Sequence, residues 1–224
     1  TVAGQDPDII APVILCDGEG FKDDASGTYT GIANSLIQNP SDVYRYTLVG
    51  LLGRVMAEMG DSFGTARTTY ANRISGGYKF ATILSKLGTK PSDIFKSFDF
   101  QCRSQMREDG GKFELQFNDA SDPTPALTID KKIYIGKPVF SQTKAEAIKN
   151  RIRATYDLDW SGIDRNLKFG GYKKQVERLN SPSITKYGEL ASDIEFPAIQ
   201  SQLMAQDVAD WVLLQQKDVV KIVD

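Results

Sequence analysis

The sequence contains no histidine, and its candidate side chains for chemistry are carboxylates and the thiols of two cysteines. Histidine is the commonest general base and the commonest metal ligand in proteins. Its absence excludes Ser-His-Asp and Cys-His catalysis within the chain. It also excludes the usual zinc sites, which two cysteines alone cannot complete.

Some of the carboxylates lie in two loops that are rich in turn residues. The first loop contains Asp17-Gly18-Glu19 and Asp23-Asp24. The second loop contains Asn118, Asp119, Ser121 and Asp122. Oxygen ligands suit calcium, but neither loop has the ligand spacing of an EF-hand, so we interpret both as solvated turns. Glycoside hydrolysis needs two carboxyl groups about 5–10 Å apart, and no spacing among the acids singles out such a pair.

The two cysteines, Cys16 and Cys102, lie far apart in the sequence. We expect two free, half-buried thiols, with a single disulfide bridge as the alternative. Cys102 follows a predicted helix and has Phe98 and Phe100 close by in the sequence. A reactive thiolate needs a nearby base or cation, and Arg103 is adjacent. The aromatic neighbours favour instead a small, buried, apolar cysteine.

The glycine pairs Gly76-Gly77 and Gly170-Gly171 do not belong to a nucleotide-binding motif. They lack both the G-x-x-x-x-G-K-[ST] phosphate loop and the G-x-G-x-x-G fingerprint, so we interpret them as turns. We therefore predict no catalytic residue, no cofactor, no cofactor-binding residue and no metal ligand, and we expect that the chain is not an enzyme.

The overall composition is that of an ordinary soluble globular protein, with 41% hydrophobic and 25% charged residues. The 27 basic and 29 acidic residues give a net charge of −2, and no basic block stands out. Nucleic-acid binding has no electrostatic footprint here. The longest apolar stretches, such as residues 9–16, are shorter than the ~20 residues that a membrane span needs. We expect no nucleic-acid partner and no membrane span.

Two amphipathic helices are predicted, over about residues 42–59 and 199–215. In the first, apolar residues recur mostly at spacings of three and four, with Ser41 as N-cap and Gly60 as C-cap. Shorter helices are predicted from Asp61 or Ser62, from Pro91, and over 181–188. The second long helix carries the apolar residues Met204, Val208, Trp211, Val212 and Leu214.

A β-hairpin is predicted around Asp109-Gly110-Gly111, which joins two alternating runs. On its second strand Phe113, Leu115 and Phe117 should face the core. Residues 78–84 could be a strand or a buried helical turn. Further strands are predicted at 127–129, 133–135, 151–156, 175–179, 193–196 and 219–223. Helices intermixed with hairpins indicate an α+β fold with mixed, mostly antiparallel strands.

The ends of the chain predict that residues 1–224 are a region of a larger protein. The chain begins at Thr1 without an initiator Met, and it stops in the β-branched run 218–224. The alternative is a complete protein that has lost its Met. We assign 1–27 to the end of a preceding domain or a linker. Residues 28–224 form the main region, with 28–135 and 136–224 as subdomains if it divides.

Several short segments of the chain resemble a known family through the order in which they occur. The first is Ile37-Gln38-Asn39-Pro40-Ser41-Asp42-Val43 at a helix start, followed by Ser62-Phe63-Gly64-Thr65-Ala66. Next come Gln101-Cys102-Arg103 before the hairpin, a strand at 151–156, the short helix 183–188 and the helix 199–215. This order, over about residues 28–223, resembles the hub or tail-tip (baseplate) structural proteins of tailed bacteriophages and prophages.

The resemblance implies a non-catalytic structural role in a virion tail, in a protein made in the bacterial cytoplasm. It implies a trimeric hub at the distal end of the tail, with other copies of the chain and neighbouring tail proteins as partners. No catalytic residue is carried over from the family. The alternatives are a hydrolase of cell-wall polymer, which would need two carboxylates in a cleft, and a glycan-binding module of a tail tip.

Overall fold

The chain has an α+β fold, which confirms the predicted fold class. The computed structural model describes residues 20–82, 90–119, 140–142, 147–159, 171–218 and 221–223. The expected strands at 127–129 and 133–135 lie outside the described residues, as do Cys16, Asp17, Glu19, Ser121 and Asp122. No helix in the described part of the chain is both long enough and apolar enough to cross a membrane.

Five α-helices lie within the described residues. They are α1 (Pro40–Arg45), α2 (Ser62–Asn72), α3 (Pro91–Cys102), α4 (Ser181–Tyr187) and α5 (Gln202–Gln216). Helix α5 confirms the second long amphipathic helix, and α2, α3 and α4 begin close to where the sequence places them. Proline in the first turn of α1, α3 and α4 suits the helix start, because that position needs no donated N–H group.

The first long helix, predicted over 42–59, is much shorter in the structure. It begins at Pro40, continues as a π-helix over Tyr46–Leu51, and ends there; a separate 3-10 turn follows at Met56–Glu58. Asn39, not Ser41, is the N-cap, and its side chain accepts a hydrogen bond from the Ser41 N–H group at 3.0 Å. Gly53 follows the helix end in the left-handed conformation (φ +69°), which glycine adopts without strain.

Seven strands pair into three small sheets among the described residues. They are β1 (Ser104–Asp109), β2 (Lys112–Phe117), β3 (Phe140–Gln142), β4 (Arg151–Leu158), β5 (Tyr172–Leu179), β6 (Ala191–Phe196) and β7 (Lys221–Val223). The β1–β2 hairpin forms as predicted, and β3 pairs with β7. The third sheet has the order β5-β4-β6, with β4 antiparallel to β5 and parallel to β6.

The segment from Tyr78 to Thr82, the described part of the ambiguous run 78–84, is neither a strand nor a helix. Phe80 makes a single antiparallel bridge with Ile199. The Ala81 N–H group donates to the carbonyl oxygen of Ala198 at 2.9 Å. The segment therefore joins the middle of the chain to the loop before α5 through isolated bonds rather than a ladder.

One cluster of buried side chains runs through the described parts of both halves of the chain. Helix α5 packs against β4 and β5, α2 packs against β2, and α3 packs against β1. Of the hairpin residues expected to face the core, Leu115 is fully buried, while Phe113 and Phe117 are half-buried and pack against the core. The cluster contains Tyr44, Phe63, Tyr70, Phe98, Ile152, Phe196, Met204 and Val208 among others.

Candidate functional site

The acidic turn at Asp23 and Asp24 uses its carboxylates to hold its own backbone. Asp23 accepts hydrogen bonds from the Tyr29 N–H at 3.0 Å and from the Thr30 hydroxyl at 2.7 Å. Asp24 accepts from the Ser26 N–H at 2.9 Å and from the Thr28 hydroxyl. The residues form a turn, as interpreted, although Asp23 is buried rather than solvated. Its oxygens are occupied by donors from the turn.

Arg67, on helix α2, joins that helix to helix α1 and to this turn. The Arg67 Nε donates to the Asp42 carboxylate at 2.9 Å, and Arg67 Nη2 donates to the Thr30 carbonyl oxygen at 2.6 Å. Burial raises the pKa of Asp42, and the hydrogen bond and charge of Arg67 oppose that shift. A single guanidinium thus links three segments, and the pair is part of the architecture.

Cys102 is a fully buried free thiol at the end of α3, which agrees with the buried interpretation. Burial raises the pKa of this thiol well above its ordinary value, and the nearby Asp99 carboxylate adds to the shift. Asp99 accepts a hydrogen bond from the Tyr44 hydroxyl at 2.7 Å. A nucleophilic cysteine requires a lowered pKa and access to substrate. Cys102 has neither property, because its pKa is raised and its side chain is fully buried.

The main polar cluster of the interior was not predicted from the sequence. Asp207, on α5, accepts hydrogen bonds from Arg73 Nη2 at 3.1 Å, from Arg103 Nη1 at 2.7 Å and from the Tyr78 hydroxyl. Arg103 is 1% exposed. We call Asp207, Arg73, Tyr78 and Arg103 the Asp207 cluster. A sequence signal existed: Asp207 lies on the apolar stripe of its helix, between Met204 and Trp211.

The backbone after α3 and two aromatic rings position Arg103. Arg103 itself adopts the left-handed conformation (φ 53°) that ends α3 and turns the chain into β1. Its guanidinium carbon lies 4.9 Å from the centre of the Phe117 ring and 5.8 Å from that of Trp211. Cation–π contact of this kind stabilises a desolvated guanidinium. Arg103 Nη2 also donates to the Asn118 carbonyl oxygen at 3.1 Å.

The electrostatics of the Asp207 cluster keep its acid ionised. Burial alone would raise the pKa of Asp207, but hydrogen bonds from Arg73 and Tyr78 and the charge of Arg103 outweigh it and lower the pKa. Burial and the bond to Asp207 raise the pKa of Tyr78 well above its ordinary value. A general acid or base needs a pKa near the working pH. The pKa of Asp207 is shifted below that range and the pKa of Tyr78 above it. The two side chains are also already hydrogen-bonded to each other.

A cleft of about 430 Å³ lies between helix α2 and strand β2. Ala66 and Leu115, both buried, are among its lining residues. Asp119, from the second predicted acidic loop, also lines it and forms ion pairs with Arg73 at 3.6 Å and Arg103 at 3.9 Å. Its polar lining residues are Ser62, Thr65, Thr69, Arg107, Glu114, Gln116 and Asp119. The cleft can offer hydrogen bonds, although the Ser62 hydroxyl already donates to Glu114.

A group of large apolar side chains is exposed to solvent near the end of the π-helix. Phe21 is 66% exposed, Val55 57%, Leu51 47% and Leu52 41%. We call these four residues the apolar patch. The Phe21 ring packs on the Tyr46 ring with their centres 5.0 Å apart, which places Phe21 beside the π-helix that ends at Leu51. Three of the four residues lie within the five-residue run 51–55, and exposed apolar patches are typical of interaction sites.

The early end of the first helix creates the apolar patch. In the predicted continuous helix, Leu51, Leu52 and Val55 belong to a core-facing stripe. The π-helix and the turn at Gly53 instead carry these side chains to the surface, while Leu48, one turn earlier, stays 2% exposed. Short π-helical segments occur frequently at functional sites. The patch is a candidate site that the sequence does not predict, because a helix continuing to residue 59 would turn these side chains towards the core.

The described residues contain no group of three or more Asp, Glu or Cys residues arranged to hold a metal ion. No known family model matches the chain, and no curated protein is similar to it in sequence. The functional assignment therefore depends on the chain's own residues and on the order of its segments.

Proposed function

We propose that this chain is a non-catalytic structural assembly module of a phage or prophage tail hub or tail tip. The tail assignment comes from the order of segments described above, from the helix start at Asn39 to helix α5. The observation that carries the assembly role is the apolar patch. Its four large side chains are exposed to solvent, and covering them with a partner would lower the free energy of the assembly. Such a module would be located in the virion tail.

The buried polar groups support a structural role over a catalytic one. Asp42, Asp99 and Asp207 each hold two or more segments together through hydrogen bonds. Catalytic acids and bases need a free face towards substrate and a pKa suited to proton transfer. The acids of this interior are engaged with the protein itself, and Cys102 is enclosed.

The partners we propose are other copies of the chain, in a trimeric hub of the full protein, and neighbouring tail proteins. Small-angle X-ray scattering with sedimentation analysis of the full-length protein tests this. A closed oligomer is the expected result. A full-length protein that stays strictly monomeric at all accessible concentrations would contradict the assembly role.

A second candidate function, glycan binding or hydrolysis at a tail tip, is favoured by the cleft beside α2. Two acidic residues, Glu114 and Asp119, and the basic Arg107 are among its lining residues. Replacing Glu114 by Gln and Asp119 by Asn separates the options. Unchanged retention on a cell-wall glycan column, together with unchanged muralytic activity, would remove this candidate.

A further inference from the structure

We propose that the cleft between α2 and β2 accepts an extended peptide segment of a neighbouring tail protein, which adds a strand to the outer edge of β2 at Leu115 and Phe117. The proposal rests on the assembly role and adds the form of the partner and the surface that receives it. It gives to a peptide the cleft that the second candidate function gives to a glycan, and the experiments separate the two.

Strand β2 has two edges, and its pairing with β1 uses one of them. In an antiparallel ladder, residues whose main-chain groups bond the partner strand alternate with residues whose groups point away from it. The Leu115 N–H donates to the Ser62 hydroxyl at 2.9 Å, so Leu115 points away from β1 and towards α2. The Asn118 N–H donates to the Arg103 carbonyl oxygen at 2.6 Å. By alternation, the N–H and carbonyl groups of Phe117 therefore point to the same side as those of Leu115.

The first half of this outer edge is already paired with a short segment of the chain itself. Met59 forms a parallel bridge with Phe113, and the Gly60 N–H donates to the Phe113 carbonyl oxygen at 2.8 Å. The second half is open. Within the described part of the chain, no hydrogen bond reaches the Leu115 carbonyl oxygen or the main-chain groups of Phe117. The edge is thus paired at Phe113 and open at Phe117, which lines the cleft.

The open groups have the pattern that an extended chain matches. In a peptide lying antiparallel to β2, one residue exchanges two hydrogen bonds with Phe117, and the residue two positions further donates its N–H to the Leu115 carbonyl oxygen. Open strand edges bind extended peptides by adding a strand in this way. The hydroxyl groups of a glycan meet such groups singly, without the spacing of a ladder. The charged lining residues Arg107, Glu114 and Asp119 are of both signs, so the strand edge and not charge selects the ligand.

The wall of the cleft opposite β2 is made of small side chains. Those of α2 that line it are at spacings of three and four, so they share one face of the helix: Ser62, Thr65, Ala66 and Thr69. The space of about 430 Å³ between the helix and the strand falls within the range of ligand sites, about 300–1,000 Å³. The residues of the peptide that face α2 should therefore be small or carry a hydroxyl group.

The first test titrates an acetylated and amidated hexapeptide of alternating threonine and valine into the isotopically labelled 224-residue chain, followed by NMR. The amide signal of Phe117 should shift, and its hydrogen exchange should slow, because the peptide gives this N–H an acceptor. The Gln116 amide already pairs with Gln105 across the ladder, so it is the internal control and should show no slowing. Unchanged exchange of the Phe117 amide at saturating peptide, or no binding of the peptide, would overturn the inference.

A second peptide tests whether the main chain makes the contact. N-methylation of the third and fourth residues removes one N–H from each edge of the hexapeptide and leaves its side chains unchanged. It should weaken binding at least about tenfold, because a hydrogen bond is lost and the methyl group holds the strands apart. Equal affinity of the two peptides would mean that side chains make the contact, and the strand pairing would be refuted.

Filling the cleft should block the peptide. Thr65→Trp places a large ring in the cleft from an exposed position on α2, and it should weaken binding at least about tenfold. The matched control is Thr68→Trp, on the same helix and also exposed but not a lining residue, and it should leave the affinity unchanged. Circular dichroism shows whether both variants are folded. Equal effects of the two substitutions would contradict the placement of the peptide in this cleft.

Soluble cell-wall glycan fragments, titrated in the same way, test the other occupant of the cleft. Fragments that shift the Phe117 amide signal when the peptide does not would assign the cleft to a glycan and refute the strand. A full-length protein that forms a closed oligomer but does not bind the peptide refutes the strand alone and leaves the assembly role standing. A strictly monomeric full-length protein that binds the peptide contradicts the hub and leaves the strand site standing.

Discussion

The Asp207 cluster and the apolar patch put side chains in the environments that ordinarily suit them least. The cluster places a carboxylate and an almost fully buried guanidinium in the interior, and the patch places large apolar groups in water. The charges of the cluster have partners within the chain, whereas the patch leaves its apolar surface uncovered. A buried charge without a partner costs several kcal/mol, so folding itself demands the pairing. Exposed apolar surface costs less, and it can be covered later by another molecule.

The difference indicates which region serves the fold and which serves contact with other molecules. Asp207 joins Arg73, Tyr78 and Arg103, which lie 104 to 134 residues away in the sequence. The patch residues contribute little to such long-range order. Changes in the cluster should therefore lower the free energy of unfolding, and changes in the patch should leave it almost unaltered.

Removing the acid of the cluster should have the largest effect. Asp207→Ala removes the close ion pair of the buried Arg103 and leaves it the longer, 3.9 Å pair with the exposed Asp119. Breaking a buried pair in this way costs about 3–5 kcal/mol of unfolding free energy. Urea denaturation followed by circular dichroism measures it. The control is Asp210→Ala on the same helix, where the carboxylate pairs at 3.1 Å with Arg178 in a more exposed position. That change should cost about 1 kcal/mol or less.

Removing one hydroxyl from the cluster should have a smaller effect. Tyr78→Phe takes away a hydrogen bond to an ionised carboxylate, which contributes about 1.5–3 kcal/mol. Tyr46→Phe is the matched control, because no hydrogen bond of the Tyr46 hydroxyl is found among the described residues. Thermal and urea denaturation should show the loss for Tyr78 alone. Equal stability of the two variants would mean that the hydroxyl of Tyr78 does not support Asp207.

The acid dependence of stability should identify the same carboxylate. The pKa of Asp207 is lower in the folded chain than its ordinary value, so its contribution is fully present above that ordinary value, about 4. The contribution is lost as the pH falls through the lowered folded pKa. The stability difference between the wild type and Asp207→Asn should therefore be constant near neutral pH and narrow below about pH 4. A difference independent of pH would contradict the shift.

Sequence reasoning located the elements whose signals are local. The alternation around Asp109-Gly110-Gly111 predicted the β1–β2 hairpin, and the apolar spacing after residue 199 predicted helix α5. Both depend on the repeat distance of a single element. The α+β class followed from the mixture of these signals, although the parallel pairing of β4 with β6 was not resolved from them.

Two features could not be read from spacing, for different physical reasons. Leu51, Leu52 and Val55 continue the apolar period of the first helix, so the sequence predicts that the helix runs to residue 59. Periodicity does not reveal that a π-helix and a left-handed Gly53 end the helix at Leu51. The Asp207 cluster depends on partners far away in the sequence. The position of Asp207 on the apolar stripe of α5 is the local signal for this cluster. The sequence near Asp207 does not indicate that Arg73 and Arg103 are its partners.

The smallest effect on stability should come from the patch, and it is the most informative about function. Leu51→Ser combined with Val55→Ser removes apolar groups that are already about half exposed, so little burial is lost. Surface changes of this kind typically stay within about 0.5 kcal/mol each. Urea denaturation of the variant should give nearly the wild-type free energy of unfolding. A loss comparable to that of Tyr78→Phe would mean that these side chains belong to the core, and the contrast between the two regions would fail.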